Sequence, residues 1–278
     1  MDDLVSTVWL DQHRHQAGVT ILDASLFMPS SGRDAAGEYR AAHIPGAQFL
    51  DMEALVDAAD PAPHMLPNAD MFGRAMEALG VGRDDRIVVY DNSPLRSASR
   101  GWFMLRHFGA PQVAVLDGGL GKWIAEEREV EAGQPAPRAG ARFDADQRPG
   151  EVVSKRMIVN GAGRPILDAR SRPRFEGSEP DPRPGVAAGH APGARNLPFA
   201  MLYREDGTLK GEEELRAAFV AAGVDPAAPF IASCGSGVTA TCLILAARRL
   251  GGRDAMLYDG SWSEWGADPA MRKELGPA

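Results

Sequence analysis

The chain has 278 residues, of which 44% are hydrophobic and 24% charged, and it carries a net charge of −8. These values describe a globular protein with room for one large domain or two ordinary ones, and they exclude a general nucleic-acid binder, which would be basic. No run approaches the ~20 apolar residues of a membrane span. The first residues, Met1-Asp2-Asp3-Leu4, lack the basic and apolar regions of a signal peptide. The two cysteines, Cys234 and Cys242, stand eight positions apart within one strand–loop–helix pattern, which suits free thiols in a reducing compartment better than a disulfide. A cytoplasmic protein is the expectation.

In chain order, short apolar runs at Thr20 to Leu22, Ile87 to Tyr90 and Val113 to Leu116 predict buried strands. Helical periodicity covers Met71 to Leu79 and Ser99 to Phe108 between them. The second half repeats the alternation. Strands are predicted at Pro165 to Leu167, Phe230 to Ala232 and Ala255 to Tyr258, and helices at Glu213 to Ala222 and Thr239 to Leu250. Alternating strands and helices imply a parallel sheet covered on both faces, with ligands bound beyond the carboxyl ends of the strands.

The halves also match in detail. Ile21-Leu22-Asp23-Ala24 returns as Ile166-Leu167-Asp168-Ala169, and His43-Ile44-Pro45-Gly46-Ala47 as His190-Ala191-Pro192-Gly193-Ala194. Leu116-Asp117-Gly118-Gly119 with Trp123 returns as Tyr258-Asp259-Gly260-Ser261 with Trp265. Ordered echoes at nearly constant spacing mean a duplicated domain. The expected division is 1–125, a linker at 126–150 rich in Pro, Gly and charge, and 151–278. Because each His-x-Pro-Gly turn occurs in both copies, His43 and His190 are expected to hold structure rather than to catalyse.

The copies diverge at one place. Phe230-Ile231-Ala232-Ser233 runs into Cys234-Gly235-Ser236-Gly237-Val238-Thr239-Ala240, whereas the first copy runs into Asp91. A strand, a glycine loop and a helix aim main-chain N–H groups and a helix dipole at whatever leads the loop, and the thiolate is the nucleophilic form of a cysteine placed there. One active and one silent half are expected, with the site near their interface. A tyrosine-phosphatase-like loop would close with arginine six residues after the cysteine, and this one has Ala240. A non-enzymatic carrier scaffold is the other rival, and a nucleophile present in one copy argues against it.

The duplicated halves, the His-x-Pro-Gly-Ala echoes, Cys-Gly-Ser-Gly-Val-Thr-Ala and Tyr-Asp-Gly-Ser-Trp-Ser-Glu-Trp resemble the tandem-domain rhodanese family over nearly the whole chain. The resemblance implies an α/β fold of two tandem rhodanese-like domains, the first catalytically silent. Within the family the loop is similar to the branch that uses 3-mercaptopyruvate. The thiosulfate-preferring branch, the alternative, typically has basic residues where this chain has Gly235 and Ser236.

The resemblance also implies roles. Cys234 becomes the nucleophile that carries a persulfide and releases pyruvate. Ser236 joins a relay with a histidine and a carboxylate, which the matching segments assign to His64 and Glu53, with Asp51 as the competing carboxylate. Arg174 and Arg183, nine residues apart, bind the keto acid, as the planar guanidinium fork suits a carboxylate. Main-chain N–H groups of Gly235, Gly237, Val238 and Thr239 stabilise the sulfur and substrate. Sulfur acceptors of the family type would be thioredoxin, glutathione, another thiol or cyanide. No cysteine–histidine cluster of metal spacing and no phosphate loop occurs, so neither a metal nor a nucleotide cofactor is expected.

Overall fold

The computed structural model describes residues 1–278. Contacts divide the chain into two units: residues 1–56, 66–148 and 205–209 in unit 1, and 57–65, 149–204 and 210–278 in unit 2.

Unit 1 contains β1 (Leu4–Val5), α1 (Thr7–His13), β2 (Val19–Asp23), α2 (Ala35–Ala41), β3 (Gln48–Phe49), α3 (Ala69–Ala78), β4 (Arg86–Tyr90), α4 (Ala98–His107), β5 (Val113–Leu116) and α5 (Gly119–Ala125). Unit 2 contains β6 (Val152–Val153), α6 (Lys155–Val159), β7 (Ile166–Asp168), α7 (Arg172–Glu176), β8 (Arg195–Asn196), α8 (Glu212–Ala221), β9 (Ile231–Ser233), α9 (Ala240–Arg249), β10 (Met256–Tyr258) and α10 (Ser261–Trp265). The sheets have the same order, β1-β5-β4-β2-β3 and β6-β10-β9-β7-β8, and every pairing is parallel. Two parallel five-stranded sheets with helices around them confirm the expected class.

The central strand of each sheet contains a wholly buried apolar run. Ile87, Val88 and Val89 of β4 and Ile231 and Ala232 of β9 are fully buried, as strands buried on both faces require. Helix starts obey local chemistry in both copies: Ser6 accepts from the Trp9 N–H and Ser154 from the Met157 N–H. His43 and His190 are buried, and each ring shares a hydrogen bond with a main-chain carbonyl, of Tyr39 and Phe175 respectively.

The units depart from the expected division at three places. Residues 126–148 belong to unit 1 rather than forming a free linker. Glu131 bonds the His43 main chain, Arg138 pairs with Asp85 at 2.7 Å, and Phe143 packs edge-on against Phe72 at 5.5 Å. Prolines and glycines deny this stretch regular structure without denying it packing. Residues 57–65 belong to unit 2, and 205–209 to unit 1, where the Leu209 N–H donates to Asp117.

At the end of β4 stands Asp91, where the second copy has Cys234. Its carboxylate accepts from the Ser93 N–H at 3.1 Å and the Ala98 N–H at 2.6 Å. Burial nevertheless pushes its pKa up to about 6. The folded state therefore holds the Asp91 proton more tightly than the unfolded chain does. The associated stability is complete below about pH 4 and is lost as pH rises through about 6, at most ~3 kcal/mol in all. Asp91→Asn removes this dependence. In urea denaturation of the full chain, the variant is expected to gain on the wild type between pH 4 and pH 7; a constant difference across that range would refute the assignment.

Candidate active site

Strand β9 lies in the middle of its sheet, so the residue after it emerges at the centre of the carboxyl edge. That residue is Cys234. The loop from Cys234 to Thr239 then feeds α9. Gly237 has a φ of +75°, a left-handed conformation that glycine adopts without strain. Cys234 is only 2% exposed.

Ser261, at the start of α10, holds the loop. Its Oγ accepts from the Cys234 N–H at 3.1 Å and from the Gly237 N–H at 3.1 Å, and donates to the Tyr258 carbonyl at 2.7 Å. The Trp262 and Ser263 N–H groups donate to the carbonyls of Cys234 and Gly235. Ser261 is fully buried with φ +49°. Its counterpart in unit 1, Gly119, has φ +58°, and a Cβ there would stand 2.3 Å from the Asp91 carbonyl. A serine in this strained conformation is a cost the second copy bears in order to place one hydroxyl. Sequence reasoning assigned Ser261 no role. The signal was present in the Gly-Gly to Gly-Ser change between the echoes.

With Ser261 taken up this way, the main-chain donors of the loop divide. Gly237, expected at the substrate, gives its N–H to Ser261 because its positive φ turns it that way. The N–H groups of Gly235, Ser236, Val238 and Thr239 have no acceptor within the protein. Gly235, Ser236 and Val238 are buried and Thr239 half-buried, and buried N–H groups in that condition are rare.

Ser236, buried, shares a hydrogen bond of 2.9 Å with Nδ1 of His64. His64 has φ +62°, unusual for a residue with a side chain. It is carried by a loop that Asp57 and Asp60 organise, accepting from the N–H groups of Ala59 and Ala62. Glu53 lies in unit 1, exposed, and no hydrogen bond engages its carboxylate. The competing Asp51 accepts from the N–H groups of Glu53 and Ala54 and so holds their turn.

Arg174 and Arg183 converge on the loop. A Cβ on Gly235 would lie 3.2 Å from Nη1 of Arg183 and 3.4 Å from Nη2 of Arg174. The absence of a side chain at position 235 is what lets two guanidinium groups approach the residue after the cysteine. The segment bearing them is anchored by a buried pair: Arg170 clamps Asp168 through Nε and Nη2, donates to the Gly189 carbonyl at 2.8 Å, and stacks over Trp262 at 4.6 Å. In unit 1 the corresponding cavity, about 660 Å³, is lined by Asp91, Ser93, Arg96 and Lys122 and has no cysteine.

A central-strand cysteine, a loop of unengaged N–H groups, a serine–histidine pair and two converging arginines together can hold an anion beside a sulfur nucleophile. Comparison with known proteins agrees. The model of the rhodanese-like domain matches residues 6–126 and again 153–268, and the chain belongs to the rhodanese family. It is 43% identical to the 3-mercaptopyruvate sulfurtransferase of Escherichia coli, covering 95% of this chain and 94% of that one. It is 39% identical to the thiosulfate sulfurtransferase of Gallus gallus, covering 94% and 92%. The crystal structure of SseA from Escherichia coli, titled as a 3-mercaptopyruvate sulfotransferase, superposes with a TM-score of 0.85 at 40% identity, over 95% of this chain and all of that one.

The Ser261 geometry has a measurable consequence. Ser261→Ala leaves two buried N–H groups without their acceptor, a loss of about 1–3 kcal/mol. Ser261→Gly loses the same acceptor but relieves the positive φ, which is worth about 1 kcal/mol. The glycine variant is therefore expected to be the more stable of the two in urea denaturation. An alanine variant as stable as the wild type would show that the hydroxyl does not hold the loop.

Proposed function

We propose that this chain is a 3-mercaptopyruvate sulfurtransferase working through a persulfide on Cys234. The observation that carries the reading is the pair of guanidinium groups, Arg174 and Arg183, beside Gly235. Similarity alone does not choose the donor, since relatives named for 3-mercaptopyruvate and for thiosulfate match at 43% and 39%. The arginine pair supports the 2-oxo acid. A 2-oxo carboxylate offers adjacent coplanar oxygens to two planar forks, a geometry arginine meets bidentately.

In the first half-reaction the Cys234 thiolate attacks the substrate's thiol sulfur. The bond between that sulfur and carbon breaks, and its electron pair leaves with pyruvate as the enolate. Arg174 and Arg183 hold the carboxylate and the oxygen on which charge develops. The substrate's S–H proton passes by way of Ser236 and His64 to the enolate carbon, leaving pyruvate and the Cys234 persulfide. The N–H groups of Gly235, Ser236, Val238 and Thr239, left without acceptors beside the clamp of Ser261, are the donors that would stabilise the anionic sulfur. In the second half-reaction a thiol such as glutathione or thioredoxin, or cyanide, attacks the outer sulfur, and the electrons of the S–S bond return to Cys234. Splitting one transfer into two steps through a covalent intermediate on a single nucleophile keeps each step simple.

Glu53 belongs to this proposal through its motif. Both cysteines are free, in keeping with a reducing compartment and a cytoplasmic enzyme, and no helix is long and apolar enough to cross a membrane.

Incubation with 3-mercaptopyruvate is expected to release pyruvate and to add one sulfur to the Cys234 peptide by mass spectrometry. Cys234→Ser should abolish both. Pyruvate release from that variant at the wild-type rate would remove the mechanism, and faster turnover of thiosulfate than of 3-mercaptopyruvate would reassign the donor.

Loss of the proton relay in His64→Ala is expected to lower kcat by about 10²–10⁴ while the thermal midpoint barely moves. Glu53→Gln should lower kcat at unchanged stability. Asp51→Ala should instead lower stability, because it removes the acceptor that holds the turn. The reverse pattern would make Asp51 the relay carboxylate.

A further inference from the structure

The two arginines of the site are not independent. Between them lies Asp181, whose side chain is 1% exposed against 19% and 24% for Arg174 and Arg183. Its Oδ2 accepts from Nη2 of Arg174 at 2.7 Å. Its Oδ1 accepts from the main-chain N–H of Arg183 at 3.0 Å and from Nη1 of the same residue at 3.3 Å. Nε of Arg174 is buried with no acceptor, so the bond to Asp181 is the one polar contact fixing that guanidinium. One carboxylate thus yokes both forks in the arrangement that meets Gly235.

The yoke also sets charge. Two guanidinium groups alone would present two positive charges beside the nucleophile. With Asp181 ionised between them, the cluster carries one. With the Cys234 thiolate present, the arginines, Asp181 and the sulfur sum to zero, so a 2-oxo carboxylate adds one negative charge and thiosulfate or sulfate adds two. The second charge falls in a partly desolvated place, where it is costly. We infer that Asp181 is a positioning and specificity-determining residue: it holds Arg174 and Arg183 in register for a monoanionic 2-oxo acid and disfavours dianionic sulfur donors. The inference rests on the sulfurtransferase reading above and adds the residue that selects the donor's charge.

The test compares Asp181→Asn and Asp181→Glu with the wild type, using 3-mercaptopyruvate and thiosulfate as donors and cyanide as acceptor. Asp181→Asn frees one positive charge and weakens the hold on both arginines. It is expected to raise KM for 3-mercaptopyruvate at least about tenfold, the size of one charge-assisted hydrogen bond. The ratio of kcat/KM for 3-mercaptopyruvate to that for thiosulfate should fall by at least the same factor. Asp181→Glu keeps the charge and should bring that ratio back to within about threefold of the wild type. An Asp181→Asn variant that forms the persulfide with an unchanged donor ratio overturns the inference. So does an equal loss on both donors that Asp181→Glu fails to repair, which marks a purely structural residue.

A second measurement needs no variant. Against wild-type turnover, the monoanion 2-oxobutyrate should compete at least about tenfold more tightly than the dianion sulfate; equal inhibition overturns the charge argument. If the wild type releases no pyruvate from 3-mercaptopyruvate, the functional reading fails. Retention of radiolabelled 2-oxobutyrate over sulfate, or its absence, then decides this inference separately.

Discussion

The chemistry of unit 2 depends on how the main chain turns after β9. That turn is held by one hydroxyl, Ser261 Oγ, which gathers the N–H groups of Cys234 and Gly237. Fixing those two donors leaves the neighbouring ones pointing elsewhere, without acceptors of their own. A loop built this way stores unsatisfied hydrogen-bonding capacity in a buried place, where the cost is met by the rest of the fold. Two strained residues mark it, Ser261 and His64, with φ of +49° and +62°. Each delivers a polar side chain to the same six-residue loop.

Duplication makes the division of labour visible. Both units have a five-stranded parallel sheet of the same order, a histidine turn bonded to a carbonyl, and a left-handed residue opening the last helix. What differs is confined to the carboxyl edge. Unit 1 has Asp91, Ser25 and Gly119 where unit 2 has Cys234, Arg170 and Ser261. Asp91 turns its carboxylate on its own loop and satisfies the N–H groups of Ser93 and Ala98. The donors that unit 2 leaves unengaged after its central strand are, in unit 1, partly answered by a side chain. A carboxyl group of the protein's own stands where unit 2 has the nucleophile.

The regular elements were legible because central strands and long helices write their pattern over many residues. Val113–Leu116 was read at its observed limits, and α4 and α9 within one residue at each end. The two-residue edge strands β1, β3, β6 and β8 were missed, since so few residues carry no period. The packing of residues 126–148 on unit 1 was missed too. Phe143 and Glu131 there act singly, and single contacts leave no periodic trace. At the site, Cys234 was singled out by its strand, glycine loop and helix and by the break between the copies, whereas Ser236, His64, Arg174 and Arg183 were assigned through the family resemblance. Asp181 and Ser261 escaped notice because their work is to orient other groups, and that becomes visible only when hydrogen-bond partners are known.

The two cysteines show why burial alone decides little. Cys242 is wholly buried in α9, whose residues from Ala240 to Ala247 are all buried, as free thiols in a core commonly are. Cys234 is almost as buried, at 2% exposed. Exposure would class them together. Their surroundings separate them. Cys242 lies within a helix, while Cys234 opens a loop of N–H groups that the protein leaves unanswered, with two guanidinium groups beside the next residue. Reactivity follows from which charges and dipoles a sulfur meets when solvent is excluded, because the same exclusion that makes a core thiol inert strengthens every electrostatic interaction around an anionic one. Low exposure at Cys234 therefore belongs to the mechanism: it lets a few fixed donors and one yoked pair of arginines act at close to full strength.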